Sequence, residues 1–514
     1  MESAKSGSLP DQTEAKFMPM DIATTQVDAK DVSTGQMQNS QVVTWSESEE
    51  NRARIKVDLI LLPLLATSMF CLTMDRSNIG NALTSTILKD LGITQNMVNV
   101  GTQLLSAGIV ILEIPSNIVL QKIGPKYWLP GQVIAWGIVA TFQSFATNLG
   151  SFLATRLLLG LLEAGFIPGS LYVLSTWYKR TETSLRVSLF FIGSQLASAT
   201  ASLIAAGILS MSGRNGVAGW RWLFLIEGII TIGIGIILLL FIPPSPENPR
   251  PLIRARRWSY FSERESYILS NRVLIDDPGK LKGTISISRT NITATMSTMR
   301  IWGHVLITII GQIASSALQL YTPSIIKSLG FSTVKANALS SIGVYAGTIF
   351  LLTLAVLSDK TKLRGPWVLL ASTWGVIIYS ITMANASSKN KWKKFAIVTC
   401  CNVSFSVPHI LNTAWCSANC RSPQERSIAL AMIIMGANAA SIAGAQIFRS
   451  NDAPLYRTAF TSIMSVSAVG WCVCVGLIFY YSYLNKQLKK HSELEITTGE
   501  EGGGNMNFAR KYCL

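Results

Sequence analysis

The sequence predicts an all-α membrane protein of twelve transmembrane helices, arranged as two six-helix bundles with both termini cytoplasmic. Three observations lead there. Of 514 residues, 49% are hydrophobic and 14% charged, with a mean hydropathy of +0.36. The apolar residues form blocks long enough to cross a bilayer at about 1.5 Å per residue, not amphipathic stripes. Lysine and arginine are shared unequally among the connections between those blocks.

The first six blocks fall at about residues 57–80, 98–120, 129–147, 150–176, 185–210 and 220–242. Six more fall at about 301–326, 335–357, 366–385, 394–416, 426–448 and 459–483. With both termini inside, 31 of the 44 lysines and arginines lie in inner segments and 11 in outer loops; Arg76 and Arg156 lie within helices. That bias fixes the orientation, and it makes the net charge of +16 a matter of topology and of affinity for an anionic inner leaflet. Nucleic acid is excluded as a partner, because the basic residues are scattered among inner loops with no recognition module.

Residues 1–55 are polar and predict a disordered cytoplasmic N-tail. They contain no apolar signal core, so the first helix would itself direct insertion. Residues 56–242 form the N-terminal bundle. The first helix is apolar only from Leu59 to Met74, too short to span, and must continue through Asp75-Arg76-Ser-Asn-Ile-Gly-Asn81. Neighbouring residues on a helix diverge by roughly 100°. One of Asp75 and Arg76 would therefore face a central cavity and the other a neighbouring helix, the alternative being an interfacial pair reaching for water.

The second helix carries Glu113 ahead of Pro115, read as structural, and the third opens after Gly124-Pro125. In the fourth, Arg156, Gly160 and Glu163 occupy one stripe almost two turns long. An ionisable group at membrane depth costs at least about 2.5 kcal/mol on insertion scales. Two on one face point to transport, as a charge relay, or else to a permanent ion pair. The sixth helix holds Arg221 and Glu227, also read as structural.

Residues 243–300 open with Pro243-Pro-Ser-Pro-Glu-Asn-Pro-Arg250 and form a long basic cytoplasmic loop that divides the chain. The C-terminal bundle spans 301–484, and 485–514 predict a disordered cytoplasmic C-tail. An internal echo supports duplication. Lys122-Ile-Gly124-Pro125-Lys126 follows the second helix, and Asp359-Lys360 through Gly365-Pro366-Trp367 follows the eighth. Lys122, Gly124, Asp359 and Lys360 are accordingly candidate gating-loop residues.

The C-terminal bundle has no Asp, Glu, Lys or Arg deep in its helices. Its polar groups are Gln312, Gln319, Tyr321, His409, Asn412 and Asn438, suited to hydrogen bonding a substrate. Of these, Gln312, Gln319, Tyr321 and Asn438 join Arg76 as candidate substrate-binding residues, and His409 reads as a packing residue. Asn438 sits among small residues where helices approach closely. The eight cysteines read as small apolar fillers, since Cys416 and Cys420 share a helix face with no partner to complete a zinc set. Asn385-Ala-Ser is an outer-loop glycosylation sequon, whereas Asn291-Ile-Thr faces the cytosol. No nucleophile, metal or phosphate motif supports an enzyme, and neither a metal nor a cofactor is expected.

Several stretches resemble the major facilitator superfamily, in particular its anion:cation symporter branch and the fungal allantoate-permease-like group. They are Met74-Asp75-Arg76-Ser-Asn78-Ile-Gly80-Asn81, Glu113-Ile-Pro115-Ser-Asn117, Gly124-Pro125-Lys126, Arg156 through Glu163-Ala-Gly165-Phe-Ile-Pro168-Gly169, and Gly219-Trp-Arg-Trp through Glu227-Gly228. The second half matches more loosely, through Thr322-Pro-Ser-Ile-Ile-Lys327-Ser-Leu-Gly330 and Asp452-Ala-Pro454. The resemblance implies that Arg76 contacts a substrate carboxylate, that Asp75 and Glu163 carry protons, and that Arg156 couples protonation to the switch between states. One position departs from the family pattern, with Gln121 where the superfamily usually has an aspartate.

These readings converge on import of a small organic anion (allantoate, another ureido acid, a vitamin or a sugar acid) by proton symport through alternating access. The proton is the coupling ion, and the protein is a monomer in the bilayer of the plasma membrane or an internal membrane such as the vacuole. The rival readings are an exporter of metabolites or drugs and a non-transporting nutrient receptor. Residues 187–209 contain no proline, unlike the fifth helix of drug antiporters, and no long folded signalling tail is present.

Overall fold

The computed structural model describes residues 45–252, 259–276, 289–404, 407–453, 455–498 and 512–513. Ser46–Leu514 forms one compact unit. Its first helix, α1 (Glu47–Ala82), starts in a capping box. The Ser46 backbone N–H donates to the Glu49 carboxylate at 2.9 Å, and the Ser46 hydroxyl accepts from the Glu49 N–H. The helix therefore begins inside the stretch expected to be disordered; residues 1–44 of that expectation lie outside the described residues.

The N-terminal half continues with a short α2 (Ile87–Leu91), then α3 (Gln95–Ile123), α4 (Pro125–Phe142), α5 (Leu149–Glu163), α6 (Phe166–Trp177), α7 (Arg180–Leu209) and α8 (Gly219–Phe241). The central segment contributes α9 (Glu263–Asp276) and α10 (Arg289–Met296). The C-terminal half comprises α11 (Met299–Ser328), α12 (Thr333–Thr361), α13 (Gly365–Ala384), α14 (Lys391–Val403), α15 (Val407–Asn419), α16 (Pro423–Gly444) and α17 (Arg457–Thr498).

Helix pairings repeat between the halves. α1 packs on α7 as α11 packs on α16, α3 on α5 as α12 on α14, and α4 on α8 as α13 on α17. That repeat is the three-dimensional counterpart of the sequence echo. Across the halves, α7 meets α12, α3 meets α16 and α1 meets α11.

Among the described residues, eleven helices are long and apolar enough to cross a membrane, counting α5 with α6 and α14 with α15 as single spans. The expected third span corresponds to α4, which is not among the eleven. Its 18 residues include Lys126, Gln132 and two prolines, which dilute the apolar run.

The fourth predicted span is broken, not continuous. Ala164 is extended and Gly165 is left-handed at φ +83°, a conformation that favours glycine. A Cβ on Gly165 would also lie 2.3 Å from the Ser116 hydroxyl. The carbonyls freed by the break are met by Gln132, whose Nε2 donates to Ala164 O at 2.7 Å. Glu163 is thus the last residue of α5, directly before the break.

The far C-terminus also differs from the expected disorder. α17 runs on to Thr498, and Tyr512 is buried against the C-terminal half. The reason is local: Tyr512 and Cys513 find side-chain partners there that the sequence does not announce.

Hydrogen bonds between the halves gather at one end, hereafter the closed end. Lys327 Nζ donates to Thr84 O at 2.5 Å, Asn337 Nδ2 to the Thr84 hydroxyl at 2.7 Å, and Asn99 Nδ2 to Phe448 O at 3.0 Å. Gln103 Nε2 donates to Ile442 O at 3.1 Å and Gln446 Nε2 to Gln103 Oε1 at 2.9 Å. Nearby, Gly80 lets α1 and α11 approach, since a Cβ there would lie 2.7 Å from Leu320 O. At the opposite, far end, α9 is pinned to the N-terminal half. The Arg272 guanidinium, with its side chain fully buried, donates to Glu182 at 3.1 Å and to Trp177 O at 3.0 Å.

Candidate functional site: a cationic cavity between the halves

A cavity of about 250 Å³ lies between the halves, bordered by α1, α3, α5, α7, α11 and α16. Arg76 and Arg156 reach it from the N-terminal half, and Gln312, Gln319 and Asn438 from the C-terminal half. No carboxylate is among its lining residues. The wall is therefore cationic on one side and uncharged but polar on the other.

Arg76 is held in place by Glu163. Its Nε donates to Glu163 Oε2 at 2.6 Å, and the Glu163 side chain is fully buried while Arg76 keeps 27% of its side-chain surface exposed. The carboxylate orients the guanidinium from behind, leaving its outer edge for the cavity. The ion pair thus joins α1 to α5, and the stripe expected for Arg156, Gly160 and Glu163 does not itself close into a pair.

Arg156 has a different environment. It is 1% exposed, and its Nε and Nη2 have no hydrogen-bond partner. Its guanidinium carbon lies 5.5 Å from the Phe152 ring centre and 5.9 Å from that of Phe224, so aromatic faces supply part of its stabilisation. Unsatisfied donors beside a cavity are groups poised for an anion. Gly160 lets α5 close on α3, where an added Cβ would lie 2.1 Å from Leu105 O.

Asp75 and Arg76 diverge as helical geometry requires. Arg76 faces the cavity; Asp75, 3% exposed, turns toward α8 and accepts from the Thr231 hydroxyl at 3.2 Å. Its other oxygen has no partner. Glu163, Glu227 and Arg156 are its charged neighbours. Glu227 is fully buried with both carboxylate oxygens unpartnered. Glu113 neighbours Arg76 and Asn438. Three acidic side chains, Asp75, Glu113 and Glu163, thus neighbour the two guanidiniums, and Glu227 stands beside Asp75. Sequence reading took Glu113 and Glu227 as structural; packing sets Glu113 beside Arg76 and Glu227 beside Asp75.

On the uncharged wall, Gln319 Nε2 donates across to the Ser77 hydroxyl at 3.4 Å, and Gln312 Oε1 has no partner. Tyr321 does not line the cavity. It is 1% exposed and donates to Asn99 Oδ1, within a cluster that includes Phe448 5.3 Å away, so it fastens the closed end instead. Tyr321 lies two residues beyond Gln319, which turns it some 200° away around α11. Asn412 is likewise internal, bonded to His304 at 2.6 Å and to Thr308 at 3.1 Å.

Hydroxyl and amide groups of α7 complete the lining: Ser194, Gln195 and Ser198. They escape sequence reading because small polar residues in apolar helices carry no charge signal. The candidate gating residues lie at the far end. Lys122 is exposed in the last turn of α3, and Gly124, at φ +87°, opens the corner into α4. Asp359, in the last turn of α12, pairs with Arg364 at the start of α13 at 3.3 Å, and Lys360 is exposed beside it.

Two repeated helical halves around a charged central cavity define the architecture of a membrane transporter. The chain belongs to the Major Facilitator Superfamily, whose signature matches residues 65–445. It is 28% identical over 445 residues to the uncharacterized transporter YIL166C of Saccharomyces cerevisiae, covering 86% of this chain and 82% of that one. Over 481 residues it is 28% identical to the MFS-type transporter cnsO of Penicillium expansum, covering 93% and 91%. Among solved structures it resembles a D-xylose-proton symporter, with a TM-score of 0.62 at 14% identity, over 81% of this chain and 96% of that one. A bacterial homolog of the human lysosomal transporter Spinster, inward-facing and occupied, matches with a TM-score of 0.61 at 14% identity, over 82% and 95%. At these identities the structural likenesses speak for the fold.

Proposed function

We propose that this protein imports a small organic anion by proton symport, as a member of the anion:cation symporter branch close to the fungal allantoate permeases. One observation carries the reading: two guanidiniums reach a central cavity whose lining contains no carboxylate, and one of them, Arg156, has unsatisfied donors. A carboxylate is the simplest partner for such a pair. Arg76 binds it, Gln312, Gln319 and Asn438 hold its polar remainder, and Asp75 and Glu163 carry protons while Arg156 couples their state to the opening of the halves.

Charge bookkeeping favours protons in the cycle. Moving a monoanion into a negative interior costs about 2.3 kcal/mol per 100 mV, so one proton cancels the charge and two make entry electrically favourable. Three acidic groups beside two arginines give the site room to load them.

With α4 counted as the third of twelve spans, both termini are cytoplasmic and the far end faces the cytoplasm. The closed end is then the outer one, and the conformation is inward-facing. Plasma membrane or vacuole, and a monomeric state, complete the reading. The test is accumulation of a labelled panel (ureido acids, pyridine carboxylates, sugar acids, sulfonates) in cells expressing the protein, at two external pH values. Uptake of a carboxylate that rises with acidity is the expected result. Net expulsion would identify an exporter, and binding without flux a receptor; either outcome would sink the proposal.

A further inference from the structure

At the far end of the C-terminal half, Tyr512 and Cys513 lie against the ends of α15 and α17, and every backbone polar group of the two residues is bonded by a side chain. The Tyr512 N–H donates to Asn485 Oδ1 at 2.8 Å, and Asn485 Nδ2 donates back to Tyr512 O at 3.0 Å. The Cys513 N–H donates to Asn419 Oδ1 at 2.7 Å, and Asn419 Nδ2 donates back to Cys513 O at 3.0 Å. Trp415 Nε1 adds a second donor to Cys513 O at 2.9 Å.

This pattern has a stereochemical meaning. In an extended chain the N–H and C=O of one residue point to the same flank, and those of the next residue to the opposite flank. Asn485, from α17, therefore grips one edge of the segment, and Asn419, at the end of α15, grips the other. These bonds read backbone and are indifferent to side-chain identity.

Specificity comes from the tyrosine. Tyr512 is 7% exposed, with its ring 5.4 Å from that of Tyr481. Its hydroxyl accepts from Arg421 Nε at 2.8 Å, and the Arg300 guanidinium lies 5.4 Å from its ring centre. The Cys513 thiol donates to Lys362 O at 3.1 Å, in the α12–α13 loop just after the helix end that carries Asp359 and Lys360. A single dipeptide thus contacts α11, α15, α17, the α12–α13 loop and the Arg421 turn.

We infer that this is a peptide-docking site, occupied by the chain's own Tyr512-Cys513, which latches the α12–α13 loop to the ends of α15 and α17 and releases it when the tail leaves. The ligand class is an extended segment presenting a tyrosine. Because the contacts are those of a short segment held by side chains and not of a helix packed along its length, the occupant can exchange. The inference is independent of what the cavity carries.

Hydrogen exchange with mass spectrometry on the full chain in nanodiscs tests it. In the wild-type protein the Tyr512 and Cys513 amides are expected to exchange more slowly than free peptide, by a factor on the order of ten. Tyr512→Ala, which alters the tail and leaves the helices intact, should abolish that protection and speed exchange in residues 358–364. An excess of synthetic peptide matching residues 505–514, made with heavy isotopes, should displace the tail and raise its exchange. Asn419→Ala combined with Asn485→Ala should behave as Tyr512→Ala does. Unprotected tail amides in the wild type, an unchanged loop in Tyr512→Ala, or a tail indifferent to excess peptide would each overturn the inference.

Discussion

Arg76 Nε donates to Glu163 Oε2 at 2.6 Å, joining the first and fourth predicted spans across 87 residues of chain. The partner of Glu163 is therefore not Arg156, seven residues before it on the same stripe. Arg156 is left with unpartnered donors between two phenylalanine rings. One guanidinium is oriented by a carboxylate and the other is free to respond to charge in the cavity.

Glu163→Gln removes the counter-charge behind Arg76 and a group that can load a proton. A charge-assisted hydrogen bond of this kind is worth about 1.5–3 kcal/mol, so uptake should fall roughly tenfold or more at acidic external pH. Its dependence on external pH should flatten as well. Initial-rate uptake from pH 5 to 7.5 measures both, and an unaltered pH profile would remove Glu163 from the coupling site.

Arg156→Gln should leave the fold intact while removing the unsatisfied donors. If the proposed anion is the substrate, the expected signature is a weaker apparent affinity for it, by about tenfold or more, the range for a hydrogen bond to a charged group. Equilibrium binding to purified protein reads this without requiring turnover. Arg156→Lys should recover little, since an ammonium cannot reproduce the planar fork between two aromatic faces.

Tyr321→Phe distinguishes fastening from binding. Deleting a hydroxyl bonded to Asn99 should lower the turnover rate and leave the apparent KM for substrate unchanged. A KM increase with an unchanged maximal rate would return Tyr321 to the substrate site.

Gly80→Val should prise apart the closed end, because its Cβ would already stand 2.7 Å from a backbone carbonyl of α11. Spin labels placed at positions 96 and 450 should report a longer and broader distance distribution than in the wild type, measured by double electron–electron resonance. Uptake should fall with it.

The α9 anchor should be acid-sensitive. Burial raises the Glu265 carboxyl, but its contact with Lys56 Nζ at 2.5 Å and the Ser262 N–H outweigh that and hold it below the usual carboxylate range. A depressed folded-state pKa contributes stability that is present above the unfolded value, near 4.5, and lost as pH falls through the folded value. Exchange in residues 263–276, relative to the intrinsic rate, should therefore accelerate as pH falls below the usual carboxylate range, and Glu265→Gln should show the accelerated rate already at pH 7.

The membrane class and the all-helical fold were both legible in the sequence. Each depends on quantities summed along the chain: apolar run length, lysine and arginine balance, and the insertion cost of a charge. Helix phase likewise separated Asp75 from Arg76 correctly, because 100° per residue is a local property. α4 marks the limit of that reasoning: the sequence predicts a third span there, yet α4 is not among the eleven helices long and apolar enough to cross a membrane.

Partnership was decided only in three dimensions. Sequence spacing places Arg156 and Glu163 on one face, yet the closest cation to Glu163 comes from another helix. Glu227 and Asp75 become neighbours only when α8 and α1 pack together, and Glu113 meets Arg76 only when α3 joins them. Tyr321 looked like a wall residue until the phase of α11 turned it toward Asn99, and Tyr512-Cys513 looked like disordered tail until two asparagines from different helices bracketed it. Chain composition and periodicity set which segments enter the membrane and which face of each is polar; the short range of hydrogen bonds and ion pairs leaves the choice of partner to tertiary packing.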